Sequence, residues 1–459
     1  MKKLLTFLLL VLLVSNTLWG QLSGTLTVGT GGNYATLGAA ITDLNTVGVS
    51  GPVTFSLTDT AYTETATDLV IAPTLNPPSA SASVTIKPAA SIKPVVTISG
   101  CTATSGASQY SGFSINGAGN ITIDGSNTVG GTTKDLTFVM NDATNGRNII
   151  QLYGNCDTVT IKNTNLTFQT PMSTSTSTRG IYANGQATGA VDNFTVQNCS
   201  IGDATNTPFY AIGVTGSSSS SIYCTNVALK NNSLYGRIRP AYFFYVGSTG
   251  NTSEITGNTI STIGGLNAST TYSILMNTWG GTVNIQNNFI PTLTTNNTAT
   301  SGIYGISGLT AQTGATCNII NNFIGGDLQV TGTGVPTVIS WMYLQDNGTY
   351  NVYHNTINYP SIAAATERSC IHISGASIVA NIKNNIIVNN TDAATAYCIW
   401  WKKTGTLTSD YNDLYVSGAT ANVGYMGTSV IPTLAAWKDS TLQDGNSVSK
   451  AITIGIPFL

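Results

Sequence analysis

Two sets of side chains in this chain could do chemistry. Tyr182, Tyr245, Tyr304, His372 and Trp400 recur at about one place in successive stretches of sequence, near Arg179, Glu367, Arg368, Lys402 and Lys403. Aromatic faces stack on sugar rings, so this set predicts a glycan-binding face; the competing reading is an apolar outer surface covered by long loops. The second set is a carboxylate pair. Asp157 and Asp192 each lie two residues before an apolar position of neighbouring repeats, and stacking of those repeats would bring them to roughly 5 Å, the separation at which one carboxylate serves as nucleophile and the other as acid in retaining glycosidases. The same two oxygen donors could hold Ca²⁺, although that ion prefers six or more ligands, and two aspartates on a solvated turn would need no ligand at all.

What must position these groups is a cassette, Φ-x-Φ-x-N-N-x-Φ, with Φ apolar. It is complete at Val283, Ile285, Asn287, Asn288, Ile290, at Cys317, Ile319, Asn321, Asn322, Ile324 and at Ala380, Ile382, Asn384, Asn385, Ile387. Looser copies carry Asn163, Asn198, Asn231 with Asn232, Asn258 after Gly257, and Asn355 after His354. With the second apolar residue as anchor, the series Ile86, Ile123, Ile161, Val196, Leu229, Ile255, Ile285, Ile319, Val352, Ile382 has gaps from 26 (Leu229 to Ile255) to 38 (Ile123 to Ile161). A period of that size predicts a solenoid.

Composition agrees. Only 8% of residues are charged, 41% are apolar, there are 48 glycines, and the formal charge is −2. Helices gain little support from this, disorder is disfavoured by the apolar content, and the lack of a basic excess argues against nucleic acid. A leucine-rich repeat would share the apolar and asparagine spacing, but the leucine it needs three residues upstream is replaced by Gly280, Gly314, Gly250 and Ser377. Instead each unit has a second strand-like piece upstream, as at Ile274-Leu275-Met276 and Ile371-His372-Ile373. Two or three short strands per unit predict a β-helical coil. Its asparagines turn the chain sharply, since Asn and Gly tolerate the left-handed backbone, and their amides would form a hydrogen-bonded column from coil to coil.

These features resemble the right-handed parallel β-helix of the pectate-lyase-like superfamily over roughly residues 50 to 415. The resemblance implies an all-β, right-handed parallel β-helix of about ten to eleven coils, a rod of about 50 Å, with an N-terminal amphipathic helix cap, for which Leu37, Ala40, Ile41 and Leu44 have helical spacing. It also implies glycan binding on the upstream-strand face. The Asn-Thr-Asp, Asp-Asp, Gly-His-Gly and Arg-Ile-Lys set of polygalacturonases is missing, its nearest echo being Arg237-Ile238-Arg239, and pectate lyases are the precedent for calcium at paired aspartates. The segment Leu434 to Trp437 with Gln443, Asp444 and Ser447 is similar to the closing region of secreted β-helix proteins of Gram-negative bacteria, in which a type IX secretion sorting domain commonly follows.

The expected organisation is therefore a signal peptide at 1–20, from Lys2, Lys3 and the apolar run Leu4 to Val14, a cap at 21–50, the β-helix at 51–415 and a closing segment at 416–459. No later run approaches the ~18 apolar residues of a membrane span. Cys370 and Cys398 start equivalent strands and could approach each other, although stacked parallel side chains suit a disulfide poorly; the other cysteines read as small core residues. No metal-ligand spacing is present. The threonines cluster in loops such as Thr292 to Thr300 without a regular column, which sets ice binding aside. The expected function is a non-catalytic, exported scaffold for cell-surface adhesion or glycan binding, with a polysaccharide lyase or glycoside hydrolase as the alternative.

Overall fold

The computed structural model describes residues 20–101, 110–142, 147–169, 178–267, 269–297, 301–331, 333–361 and 365–452. The expected signal peptide thus falls almost wholly outside the described residues. Each coil carries three short strands, and the strands of successive coils pair in parallel to give three long sheets. Sheet A, of thirteen strands from Leu22–Val28 to Thr406–Asp410, holds the Φ-x-Φ pairs; sheet B, of twelve, follows the asparagine turn; sheet C, of thirteen, is the upstream piece. One coil reads Thr271–Trp279 in sheet C, Thr282–Gln286 in A and Phe289–Asn297 in B. Parallel crossovers are almost always right-handed, and the chain is a right-handed parallel β-helix.

The anchors stand in a single file. Ile86 pairs with Ile123, Ile123 with Ile161, Ile161 with Val196, and the register continues through Leu229, Ile255, Ile285, Ile319 and Val352 to Ile382. All ten are fully buried, because alternation on a strand sends every second side chain to one face. The coil count is about twelve rather than ten to eleven, making the rod roughly 58 Å long at strand spacing. The added coils are the N-terminal ones, where Leu26 and Phe55 extend the file but no asparagine marks the turn.

The cassette asparagines divide by position. The first of each pair takes the left-handed backbone, with φ between 51° and 57° at Asn163, Asn198, Asn231, Asn287, Asn321 and Asn384, and His354 and Tyr411 do the same at 57° and 58°. That conformation turns four of these amides, at Asn231, Asn287, Asn321 and Asn384, to solvent. The second is buried. Asn232, Asn258, Asn288, Asn322, Asn355, Asn385 and Asn412 form one column in which each Nδ2 donates to the next Oδ1 at 3.0 Å. The other Nδ2 proton goes to the anchor carbonyl of the preceding coil, as from Asn322 to Ile285, and each Oδ1 also accepts the backbone N–H of the preceding asparagine, as Asn355 does from Asn322. Every amide proton is thereby used, and from Asn258 onward both lone pairs are too, while Asn232 Oδ1 accepts the Cys199 N–H, as burial demands. Two coils substitute Thr164 and Cys199, whose side chains meet at 3.2 Å.

Helix α1 (Leu37–Val47) closes the N-terminal end. Thr36 Oγ1 accepts from Ala39 N, and the Glu64 carboxylate accepts from Leu37 N at 2.7 Å and Gly38 N at 3.1 Å, so an anion sits where the helix exposes free N–H groups. Its Leu37, Ala40, Ile41 and Leu44 are fully buried on the first coil. Ahead of it Leu22–Val28 is already a strand of sheet A. Helix α2 (Leu434–Thr441) lies at the other end with Trp437 fully buried. No helix among the described residues is long and apolar enough to cross a membrane.

The cysteines are the small core residues the sequence suggests, and one expectation, about the threonines, is corrected. All seven cysteines are buried free thiols; Cys370 and Cys398 stand in adjacent coils, flanked by the paired Ile371 and Ile399, without a disulfide. The threonines are more ordered than their clustering suggests. Phe289–Asn297 is a strand of sheet B rather than a loop, and on sheet A the residue between the two apolar positions is threonine in six successive coils, Thr25, Thr54, Thr85, Thr122, Thr160 and Thr195, paired in one outward file.

Candidate functional site on sheet C

The outward face of sheet C gathers the aromatic residues because its strands too alternate in and out. Tyr182, Gly213, Tyr242, Leu275, Ser307, Tyr343, His372, Trp400 and Tyr425 are successive partners in one file. Beside it Tyr272 pairs with Tyr304. At coil spacing the rings touch. Centroids are 5.3 Å apart between Tyr272 and Tyr304, 4.7 Å between Tyr304 and Tyr343, 5.0 Å between Tyr343 and His372, 4.3 Å between His372 and Trp400, and 5.2 Å between Trp400 and Tyr425. Two guanidinium groups extend the chain towards the N terminus. Arg239 lies 5.1 Å from the Tyr242 ring and 5.5 Å from that of Tyr272, and Arg179 lies 4.1 Å over Tyr182, both within cation–π range.

Of the five aromatic positions singled out from sequence, Tyr182, Tyr304, His372 and Trp400 belong to this array and Tyr245 does not. Tyr245 has φ 54° and packs on Tyr223 and Phe244 off the file; the outward residue of its coil is Tyr242. The four array members are less exposed than free sugar-stacking platforms would be, at 9%, 9%, 2% and 6%. Their faces are largely spent on one another: His372 and Trp400 are 12° from parallel, and Tyr304 and Tyr343 22°. Burial has electrostatic consequences. It pushes the His372 pKa down to about 3, helped by nearby Lys402, so the imidazole is neutral, and it raises Tyr242 to about 12 against the opposing pull of Arg239. It also lowers the Arg179 guanidinium.

The file lacks a ring at Gly213, Leu275 and Ser307, and in each of these coils a tyrosine stands three residues upstream, Tyr210, Tyr272 and Tyr304. At Gly213 the array opens into a notch of about 280 Å³ lined by Arg179, Tyr182, Tyr210, Thr215, Tyr242 and Phe244. Tyr182 and Tyr242 stand two coils apart across it, and the Tyr182 hydroxyl accepts from Thr215 Oγ1 at 3.0 Å. A π-face, guanidinium donors and hydroxyls converge there, which suits a ring bearing hydroxyl or carboxylate groups. Sequence reading missed Tyr210, Arg239, Tyr242, Tyr272 and Tyr343. Tyr242 and Tyr343 alternate with the apolar residues of their strands, but which outward residue joins the file is set by strand pairing.

Asp157 and Asp192 are direct register partners, yet each is occupied by donors from the following coil. Asp157 Oδ1 accepts from Asn193 Nδ2 at 2.7 Å and Thr158 Oγ1 at 3.1 Å, while Asp192 Oδ1 accepts from Thr225 N and Oγ1 at 2.7 and 2.6 Å. Among the described residues no group of three His, Cys, Asp or Glu side chains could share a metal ion, so a calcium site at this pair would have only two carboxylates.

No protein-family model and no curated protein matches this chain. Among solved structures it is similar to the Dettilon tailspike protein, with 17% identity over 86% of this chain and 66% of that one and a TM-score of 0.44. It is also similar to PfbA, a surface adhesin of Streptococcus pneumoniae, with 12% identity over 84% of this chain and 89% of that one and a TM-score of 0.37. The chain thus spans just under two thirds of the tailspike's length.

Proposed function

We propose that this chain is a non-catalytic, exported β-helix rod that acts at the cell surface in adhesion or glycan contact through the sheet C face, with the Gly213 notch as the contact point. The observation that carries the reading is the notch in the ring array, where Tyr182, Tyr210 and Tyr242 converge with the Arg179 guanidinium around a space of about 280 Å³. Export rests on the basic and apolar N-terminal run. A non-catalytic role is supported by the hydrogen bonds that occupy Asp157 and Asp192.

The notch also supplies the test. A Cβ at Gly213 would meet Tyr182 Cδ2 at 3.4 Å and Tyr210 Cδ2 at 3.5 Å, ordinary contacts, so Gly213→Tyr can fill the gap from a backbone that tolerates it. On an array of neutral glycans the wild-type chain should bind and Gly213→Tyr and Tyr242→Ala should not. Binding that survives both substitutions removes the notch, and pectin or acidic-glycan turnover that disappears in Asp157→Asn would replace this reading with an enzyme.

A further inference from the structure

A second surface, on a different face of the rod, has the features of a built site. Over the N-terminal coils of sheet A lies a groove of about 610 Å³ whose floor is the threonine file, Thr25, Thr54, Thr85 and Thr122, with Lys87 and Lys162 along one side. The threonines succeed one another at strand spacing, ~4.8 Å. None of their hydroxyls has a protein hydrogen-bond partner among the described residues, in contrast to the outward amides of Asn318, Asn351 and Asn381 farther along the same sheet, which bond to one another at 2.8 and 2.9 Å.

The wall of the groove is the loop after Asp124, and it is pinned rather than loose. Asp124 Oδ1 accepts from Ser126 N at 3.1 Å and from Asn163 Nδ2 at 2.7 Å, and Asp124 Oδ2 pairs with Lys162 at 3.2 Å. Asn163 Nδ2 also donates to Gly131 O, Asn198 Nδ2 to Thr132 O at 2.7 Å, and Asn127 Nδ2 to Ile92 O. At Gly125 a Cβ would fall 1.9 Å from the Asn163 carbonyl oxygen, so only glycine lets the wall start this close to the sheet. With Asp124 matched by Lys162, the charge left over is that of Lys87, which makes no ion pair among the described residues.

We propose that this groove binds an extended acidic glycan, laid along the rod axis over the threonine file with a carboxylate or sulfate group at Lys87. Each threonine offers a hydroxyl that both donates and accepts, next to a methyl group, which matches the alternation of hydroxyl and C–H on a sugar chain. A peptide finds less here, because the strand backbone is already paired within the sheet. The proposal does not rest on the sheet C face.

The test uses the full chain and three probes, oligogalacturonate, dextran sulfate and neutral dextran, with affinity read by calorimetry. The expected result is binding of one or both acidic probes and none of dextran, weakened at least tenfold by Lys87→Gln and by the double substitution Thr85→Val, Thr122→Val, which keeps side-chain shape and removes only the hydroxyls. Gly213→Tyr should leave this binding unchanged. The proposal is overturned by an absence of binding to both acidic probes, by equal binding of dextran, by affinity that the Thr and Lys variants leave intact, or by loss on Gly213→Tyr, which would place the ligand on sheet C. Which acidic probe binds more tightly distinguishes carboxylate from sulfate.

Discussion

Asn412 Nδ2 donates to Asp444 Oδ1 at 3.1 Å, and this contact ends the buried amide column. The column is polar in direction, every side chain donating to the next coil, so its last member needs an acceptor that no further asparagine supplies. Asp444 provides it, Ser447 Oγ accepts the Asn412 backbone N–H at 2.8 Å, and Trp437 Nε1 binds the other Asp444 oxygen at 2.8 Å. The closing segment thus terminates the hydrogen bonding of the last coil as well as covering its apolar end, a requirement that solenoids share.

Replacing Asp444 with Ala leaves the Trp437 indole N–H and the Ser447 hydroxyl without their acceptor, while Asn412 Nδ2 keeps Ile382 O and Ser409 Oγ. At about 1–3 kcal/mol for each buried group left unpaired, the last coil should open before the rest. Hydrogen exchange of Thr406–Asp410 amides should rise by two orders of magnitude or more while that of Thr282–Gln286 stays unchanged.

Asn322→Leu strips Asn288 Nδ2 and N, Asn355 Oδ1 and the Ile285 carbonyl of a partner. The cost should be on the order of 3 kcal/mol or more. Asn287→Gly, one position from the same turn and exposed with φ 55°, keeps the left-handed backbone and should cost less than about 0.5 kcal/mol. Urea unfolding of the two variants checks the contrast, and equal destabilisation would refute a load carried by the inner column alone.

His372 gives the fold a pH dependence. Its folded pKa is about 3 against an ordinary 6.5, so between these values the unfolded chain binds the extra proton. Stability from this group is complete above 6.5 and falls as the pH drops towards 3, by about 1.4 kcal/mol for each unit well below 6.5. The urea midpoint should fall between pH 7 and 5, and His372→Phe should lose that part of the decrease.

Burial raises the Cys101 and Cys224 thiols to about 12 and the others in the same direction where a shift is resolved. With so little thiolate, the native protein should give no fast reaction with Ellman's reagent at pH 8, and all seven thiols should react in guanidinium. Five reacting thiols would mean that one pair had been oxidised.

The amino-acid sequence by itself determined the solenoid, because each coil places an apolar anchor on the axis side, most add an asparagine there, and a side chain that must be buried in every coil repeats whatever the loops do. Ile86 to Ile382 could be aligned without coordinates, and so could the threonine file, which sits between the two apolar positions at Val84-Thr85-Ile86 and Ile121-Thr122-Ile123. Only the tertiary structure decided what the sheet C aromatics do. Those residues carry no buried marker of their own and follow loops of unequal length, so their register is set by strand pairing: it moved Tyr245 off the file, brought Tyr242 and Arg239 onto it, and turned most ring faces towards each other. The tertiary structure also separated the two asparagines of each cassette, since a left-handed residue sends its side chain outward and leaves its neighbour to face the column.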